Sequence, residues 1–321
     1  MKTIWMYAGQ GSQREGMGKD LYENFPIYRQ VIDGLELSFD VKAMMHEGEL
    51  AELSKTKYTQ PCMAAFGAGV TAVLKAAGLA PDGACGLSLG EYGALHAAGV
   101  LDANTYVSLV EFRGQAMEKA AQELKDKGNL CSMSAILGLE EAEVKAACEE
   151  ALDAGFVVPV NFNCPGQCVI CGDEEGVKKA EEKAKEKGAK RCMRLNVGGP
   201  FHTKYMSQAG EELGGRLQET AFQTPAIPVA LNATGELYRQ PEGDAEGKEL
   251  KELLVKQIQS SVYFEKDIRA FLEAGADTFV EIGPGSTLSG FVEKTAKAMG
   301  KAVTIVTLDK AEDLEKYLAS Q

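Results

Sequence analysis

The chain has 321 residues, 45% of them hydrophobic, and a formal net charge of -13. That length suits one large domain with a smaller insert, each able to bury a core. The charge argues against nucleic acid or an anionic membrane as partner, since both would be repelled over much of the surface. No apolar run reaches the roughly 18–20 residues of a membrane span, and MKTIWMYAGQGSQ has no secretory leader pattern, so a cytoplasmic location is expected.

In chain order, Thr3 to Ala8 reads as a buried strand entering the Gly-rich loop GQGSQREGMGKD. A phosphate-cradling loop does not fit there. Gln13 stands where G-x-x-x-x-G-K-[ST] needs its first glycine, and Arg14 breaks G-x-G-x-x-G. Residues 61–78 and 102–127 read as helices, with GACGLS between them as a short strand running into a turn. From 129 to 197 the order is β-α-β-β-α-β, which predicts a ferredoxin-like small subdomain inserted into a large α/β subdomain of residues 1–128 and 198–321. Beyond it, a helix is expected over about 203–220. Then come the strand IPVALNA, an acidic loop over 236–247, a helix over 248–258, and the strand TFVEIG turning through Gly-Pro-Gly into a final helix.

Eight cysteines without framework spacing suit a reducing compartment. Cys164, Cys168 and Cys171 approach the spacing of a metal knuckle. However, GQCVICG reads as a strand, which sets Cys168 and Cys171 on opposite faces, so no metal is expected.

The chemistry points to GLSLGEYGALHAAGV, Gly86 to Val100. In Gly86-Leu87-Ser88-Leu89-Gly90 the flanking glycines permit a sharp strand-to-helix turn that forces Ser88 outward as a nucleophile. The helix after it begins with free N–H groups, and the amide of Leu89 is the natural first donor to an oxyanion. The whole chain has three histidines. His46 lies at a polar helix end and His96 several turns from the tip. His202 follows NVGGPF on a loop at a sheet edge, the usual place for a base. Tyr106, Val110, Arg113 and Met117 recur at helical spacing, so Arg113 sits on an apolar stripe; a buried guanidinium there needs an anion.

With these residues in place, the chain resembles the malonyl-CoA:acyl carrier protein transacylases, through GQGSQ, GLSLGEY, EFRGQAM, VNFNCPGQCVI, GPFHT, LNATG and EIGPG in family order and spacing. The resemblance implies an α/β-hydrolase-like large subdomain and ping-pong transfer. Ser88 would take the malonyl group from malonyl-CoA and pass it to the phosphopantetheine thiol of acyl carrier protein, with His202 as general base and acid. It further implies an oxyanion hole from the backbone amides of Gln10 and Leu89, and a backbone carbonyl at Gln257, rather than a carboxylate, behind the histidine. Asn232 would lie near that ring, Arg113 would bind the malonyl carboxylate, and Leu89 and Phe201 would favour malonyl over branched acyl units. No cofactor is implied, and a monomer is expected.

Because acyl carrier protein is acidic in general, docking requires a locally basic face. KEKGAKRCMR supplies Lys185, Lys187, Lys190, Arg191 and Arg194, with Lys190 and Arg191 taken as the carrier or CoA surface. Three rival readings share the fold. A carrier thioester hydrolase would not need Arg113, and a non-catalytic docking protein would not need Ser88 and His202 together. A trans-acting polyketide malonyl transferase would share every motif. Leu87 departs from the family, in which histidine usually stands at this position; an active enzyme with a drier entrance is expected.

Overall fold

The computed structural model describes residues 2–195 and 198–321. The strands, in chain order, are β1 (Thr3–Tyr7), β2 (Gly83–Gly86), β3 (Cys131–Leu137), β4 (Val157–Cys164), β5 (Gln167–Asp173), β6 (Arg191–Arg194), β7 (Val229–Leu231), β8 (Glu236–Tyr238), β9 (Thr278–Ile282) and β10 (Thr304–Leu308). They form two sheets, one of order β10-β9-β1-β2-β7-β8 and one of order β4-β5-β3-β6.

In the large sheet every pairing is parallel except the β7–β8 hairpin. The central strands are buried along nearly their whole length because helices cover both faces; hence β9 reads TFVEI with no alternation. The small sheet is antiparallel throughout. Its order and its two covering helices, Glu141–Glu149 and Glu174–Glu186, give the ferredoxin-like arrangement. The end of its last strand, expected to reach Val197, falls on positions 196–197, outside the described residues. Cys168 packs beneath the small-sheet helices and Cys171 joins the main core on the other face, and all eight cysteines are free thiols.

Several expectations are corrected. The helix expected over 61–78 spans Thr56–Ala76 and carries Pro61 inside it, where the missing N–H removes one backbone donor without ending the helix. The helix expected over 203–220 is a 3-10 turn, Lys204–Met206, followed by Ser207–Gln218. The acidic loop opens with β8, and the helix Thr287–Ala298 is not the last, since β10 and the helix Ala311–Ala319 follow. The amphipathic helix Phe264–Glu273 was unassigned.

The two sheets are tied together close to the site. Edge strand β4 meets residues 261–262 through Phe162 N–H to Val262 O at 2.9 Å, Val262 N–H to Val160 O at 2.8 Å and Ser261 Oγ to Pro159 O at 2.9 Å. Tyr205 adds a hydroxyl donated to Asp173 Oδ1 at 2.8 Å.

Candidate active site

The turn after β2 is as tight as its glycines suggest. A Cβ on Gly86 would stand 2.1 Å from the Gly90 carbonyl carbon, and one on Gly90 would stand 2.1 Å from Tyr7 O. Neither position admits a side chain. Among the described residues only two non-glycines have positive φ, Ser88 at 56° and His202 at 61°. Such backbone costs roughly 1–3 kcal/mol per residue and persists only where surrounding contacts enforce it.

These two residues face each other, with Ser88 Oγ 2.8 Å from His202 Nε2. His202 Nδ1 lies 2.8 Å from Gln257 O, a pure acceptor, so the ring proton belongs on Nδ1 and the Nε2 lone pair faces the serine hydroxyl. Burial, and then the positive charge of Arg113, push the imidazole pKa down to about 4, against the opposing pull of the Gln257 carbonyl. The ring is therefore neutral at pH 7, in the state that accepts a proton.

Arg113 is fully buried on the helix Ala103–Asp126. Its Nη1 donates to Gln60 Oε1 at 2.6 Å, and its Nη2 donates to Gln257 Oε1 at 2.9 Å and to Ser88 Oγ at 3.1 Å, while Nε has no partner. The guanidinium lies over the Tyr92 ring, 5.6 Å from its centroid. Among the described residues no carboxylate comes within 4.0 Å of it, so its direct partners are neutral. Burial lowers its pKa, with Tyr92 and Glu91 opposing. A cation held this way is short of an anion.

Ser88 and His202 open into a cavity of about 250 Å3 lined also by Gln10, Leu89, Leu87 and Phe201. The amides of Gln10 and Leu89 have no acceptor among the described residues, and Leu89 caps the helix Gly90–Ala97. The Leu89 and Phe201 side chains are buried, whereas Leu87 is half-buried against the cluster that includes Ile4 and Met6.

Asn232 was expected beside the histidine. Its carboxamide instead grips the serine turn. Oδ1 accepts from Ser88 N–H at 2.7 Å, and Nδ2 donates to Gly86 O at 2.9 Å and to Asp267 Oδ2 at 2.7 Å. Gln257 does more than its carbonyl suggests, because its side chain also donates to Ser88 O at 2.7 Å. Gln60, Glu91 and Asp267 were missed by sequence reasoning. The available signal was a polar residue in a stripe otherwise apolar, as at Gln60 in a helix buried almost all round. Burial drives the Glu91 carboxyl up to about 8 and that of Asp267 well above its ordinary range, where the charge of Glu91 adds to the effect.

The other histidines are elsewhere. His96 is half-buried, stacked on Tyr106 with Nδ1 2.9 Å from Leu101 O, and His46 packs edge-on to Tyr22. The basic run divides. Lys187 pairs with Glu150 at 2.7 Å, and Arg194 pairs with Glu174 at 3.0 Å and Glu181 at 2.8 Å. Lys190 and Arg191 are exposed. Lys190 shares a second hollow with Gly138, Gly166 and Lys294.

A strained serine on a strand-to-helix turn, bonded to a neutral histidine beside free amides, defines a serine acyl-transfer site on an α/β fold. The acyl transferase domain family matches residues 4–319, and the chain belongs to that family. The malonyl CoA-acyl carrier protein transacylase of Bacillus subtilis is 37% identical over 301 residues, covering 93% of this chain and 92% of the relative. A crystal structure of MCAT from Streptococcus pneumoniae superimposes with a TM-score of 0.90 at 35% identity, covering all of both chains. A malonyl-transacylase solved in complex with its type II polyketide acyl carrier protein gives 0.89 at 31% identity, again over all of both chains.

Proposed function

We propose that the protein moves a malonyl group from malonyl-CoA to the phosphopantetheine thiol of an acyl carrier protein. The observation that carries this reading is the buried Arg113 guanidinium, without a carboxylate partner among the described residues and bonded to the hydroxyl of Ser88. A malonyl unit presents its own carboxylate, and guanidinium binds carboxylate through two parallel hydrogen bonds.

In the first half-reaction His202 Nε2 takes the Ser88 hydroxyl proton as Oγ attacks the thioester carbonyl. The amides of Leu89 and Gln10 receive the oxyanion, and the imidazolium returns its proton to the departing CoA thiolate. The second half-reaction reverses this with the carrier thiol as nucleophile. A neutral carbonyl at Gln257 suffices behind the histidine, since it fixes the tautomer, and a thiolate is a good leaving group that asks little of the imidazolium.

Leu89 and Phe201 crowd the acyl end and favour the unbranched unit, and Lys190 and Arg191 offer the acidic carrier a local basic face. We take residues 129–197 as the subdomain bearing that face and the protein as a cytoplasmic monomer that uses no cofactor. Supply of fatty acid synthesis is the primary reading; the similarity to a transacylase solved with a polyketide carrier keeps polyketide supply as the second. Intact-mass measurement after mixing with malonyl-CoA tests the assignment. One malonyl adduct is expected on the wild type and none on Ser88→Ala. No adduct on the wild type, or an adduct on both, overturns it.

A further inference from the structure

Behind the serine turn lies a group that the transfer steps do not use. On the helix Phe264–Glu273 the buried stripe reads Phe264, Asp267, Ile268, Phe271 and Leu272, so an acid occupies a core position. Asp267 is fully buried, 2.7 Å from Asn232 Nδ2, and its Oδ1 has no partner. A buried acid costs several kcal/mol unless its bonds return something.

What it secures is the orientation of Asn232. Every hydrogen-bonding group of that residue is engaged, with its N–H given to Glu91 Oε2 at 2.5 Å and its carbonyl taking Tyr263 N–H at 2.9 Å. Turned by half a circle, the carboxamide would set Nδ2 against the Ser88 N–H and Oδ1 against both Gly86 O and Asp267 Oδ2. The two backbone contacts would then be like against like, and so would the third for as long as Asp267 Oδ2 is the acceptor.

We propose that Asp267 is a positioning residue for the transfer reaction. It locks the Asn232 carboxamide so that Oδ1 holds the Ser88 amide and keeps the nucleophile in its left-handed backbone. The proposal rests on the reading of Ser88 as the nucleophile. Asp267 touches neither substrate nor reacting atom, and its effect passes through one side chain.

The test is the single-turnover rate of malonyl-enzyme formation, followed by rapid quench and intact mass. Asp267→Leu is expected to slow it about 10- to 100-fold with the malonyl-CoA KM within about 2-fold, because the nucleophile is displaced while the substrate pocket stays intact. Asp267→Asn, whose amide oxygen accepts as a neutral acid's carbonyl does, restores the rate to within a few-fold. In an Asn232→Ala background Asp267→Leu adds nothing further. Asp267→Ala carries the same comparison if the leucine variant does not fold. A wild-type rate in the folded variants, multiplicative slowing with Asn232→Ala, or a lowered melting temperature with unchanged rate overturns the proposal. If the wild type forms no adduct either, the Ser88 assignment falls and takes this proposal with it.

Discussion

The active-site cavity and the exposed edge of the small sheet carry positive charge in opposite ways. Inside, Arg113 is fully buried, held by two glutamines and aimed at Ser88 Oγ. Outside, Lys190 and Arg191 stand in solvent beside Lys187 and Arg194, which neighbouring glutamates already claim. A desolvated cation discriminates strongly between an acyl group with a carboxylate and one without, because the unpaired state is expensive. An exposed cation is screened by water and salt, and its gain is spread over the encounter with a partner. Under the proposed function, the inner site would decide what is transferred, and the exposed pair would affect how readily a carrier arrives.

The largest expected effect lies in the cavity. His202→Ala should lower kcat/KM for malonyl transfer about 10³-fold or more, or about 4 kcal/mol of transition-state stabilisation. The wild-type acylation rate should stay level from pH 8 to about pH 5 and fall as pH drops through about 4, because only the neutral imidazole is a base and its pKa is depressed. The same shift works on stability. The unfolded histidine binds a proton below about 6.5 and the folded one does not, so its contribution is lost between that pH and about 4. A rate midpoint near 6.5 would show that burial and Arg113 do not act on the ring as described. At the exposed edge, Lys190→Glu with Arg191→Glu should raise the carrier KM only about 3- to 10-fold, more at low salt, with malonyl-CoA kinetics unchanged. Equal effects at the two places would erase the contrast.

How much was legible in the sequence follows the same division. Ser88 could be read because its turn excludes side chains at Gly86 and Gly90, a constraint that writes itself as glycine. Arg113 could be read because a charge on an apolar stripe violates helical patterning. The long buried strands and the ferredoxin-like order were visible for similar reasons. Asn232 could be placed near the Ser88–His202 pair, but a residue at a strand end shows no direction; only the fold reveals that its carboxamide bonds the serine turn. Asp267 and the Gln257 side chain escaped because their partners lie 35 and 169 positions away along the chain. β10 was missed because a half-exposed edge strand alternates weakly, and the last helix was missed although Ala311, Leu314 and Tyr317 recur at helical spacing. The half-buried Leu87, the departure from family pattern, packs on the apolar cluster beside the cavity.

The central claim is that a buried guanidinium short of an anion selects the acyl group. Competing malonyl-CoA and acetyl-CoA against the wild type and Arg113→Ala, with the acylated serine read by mass, tests it most directly. The wild type should load malonyl almost exclusively, and the variant should lose malonyl loading about 10²-fold or more while acetyl loading holds or rises. An unchanged malonyl-to-acetyl ratio in Arg113→Ala would contradict the account.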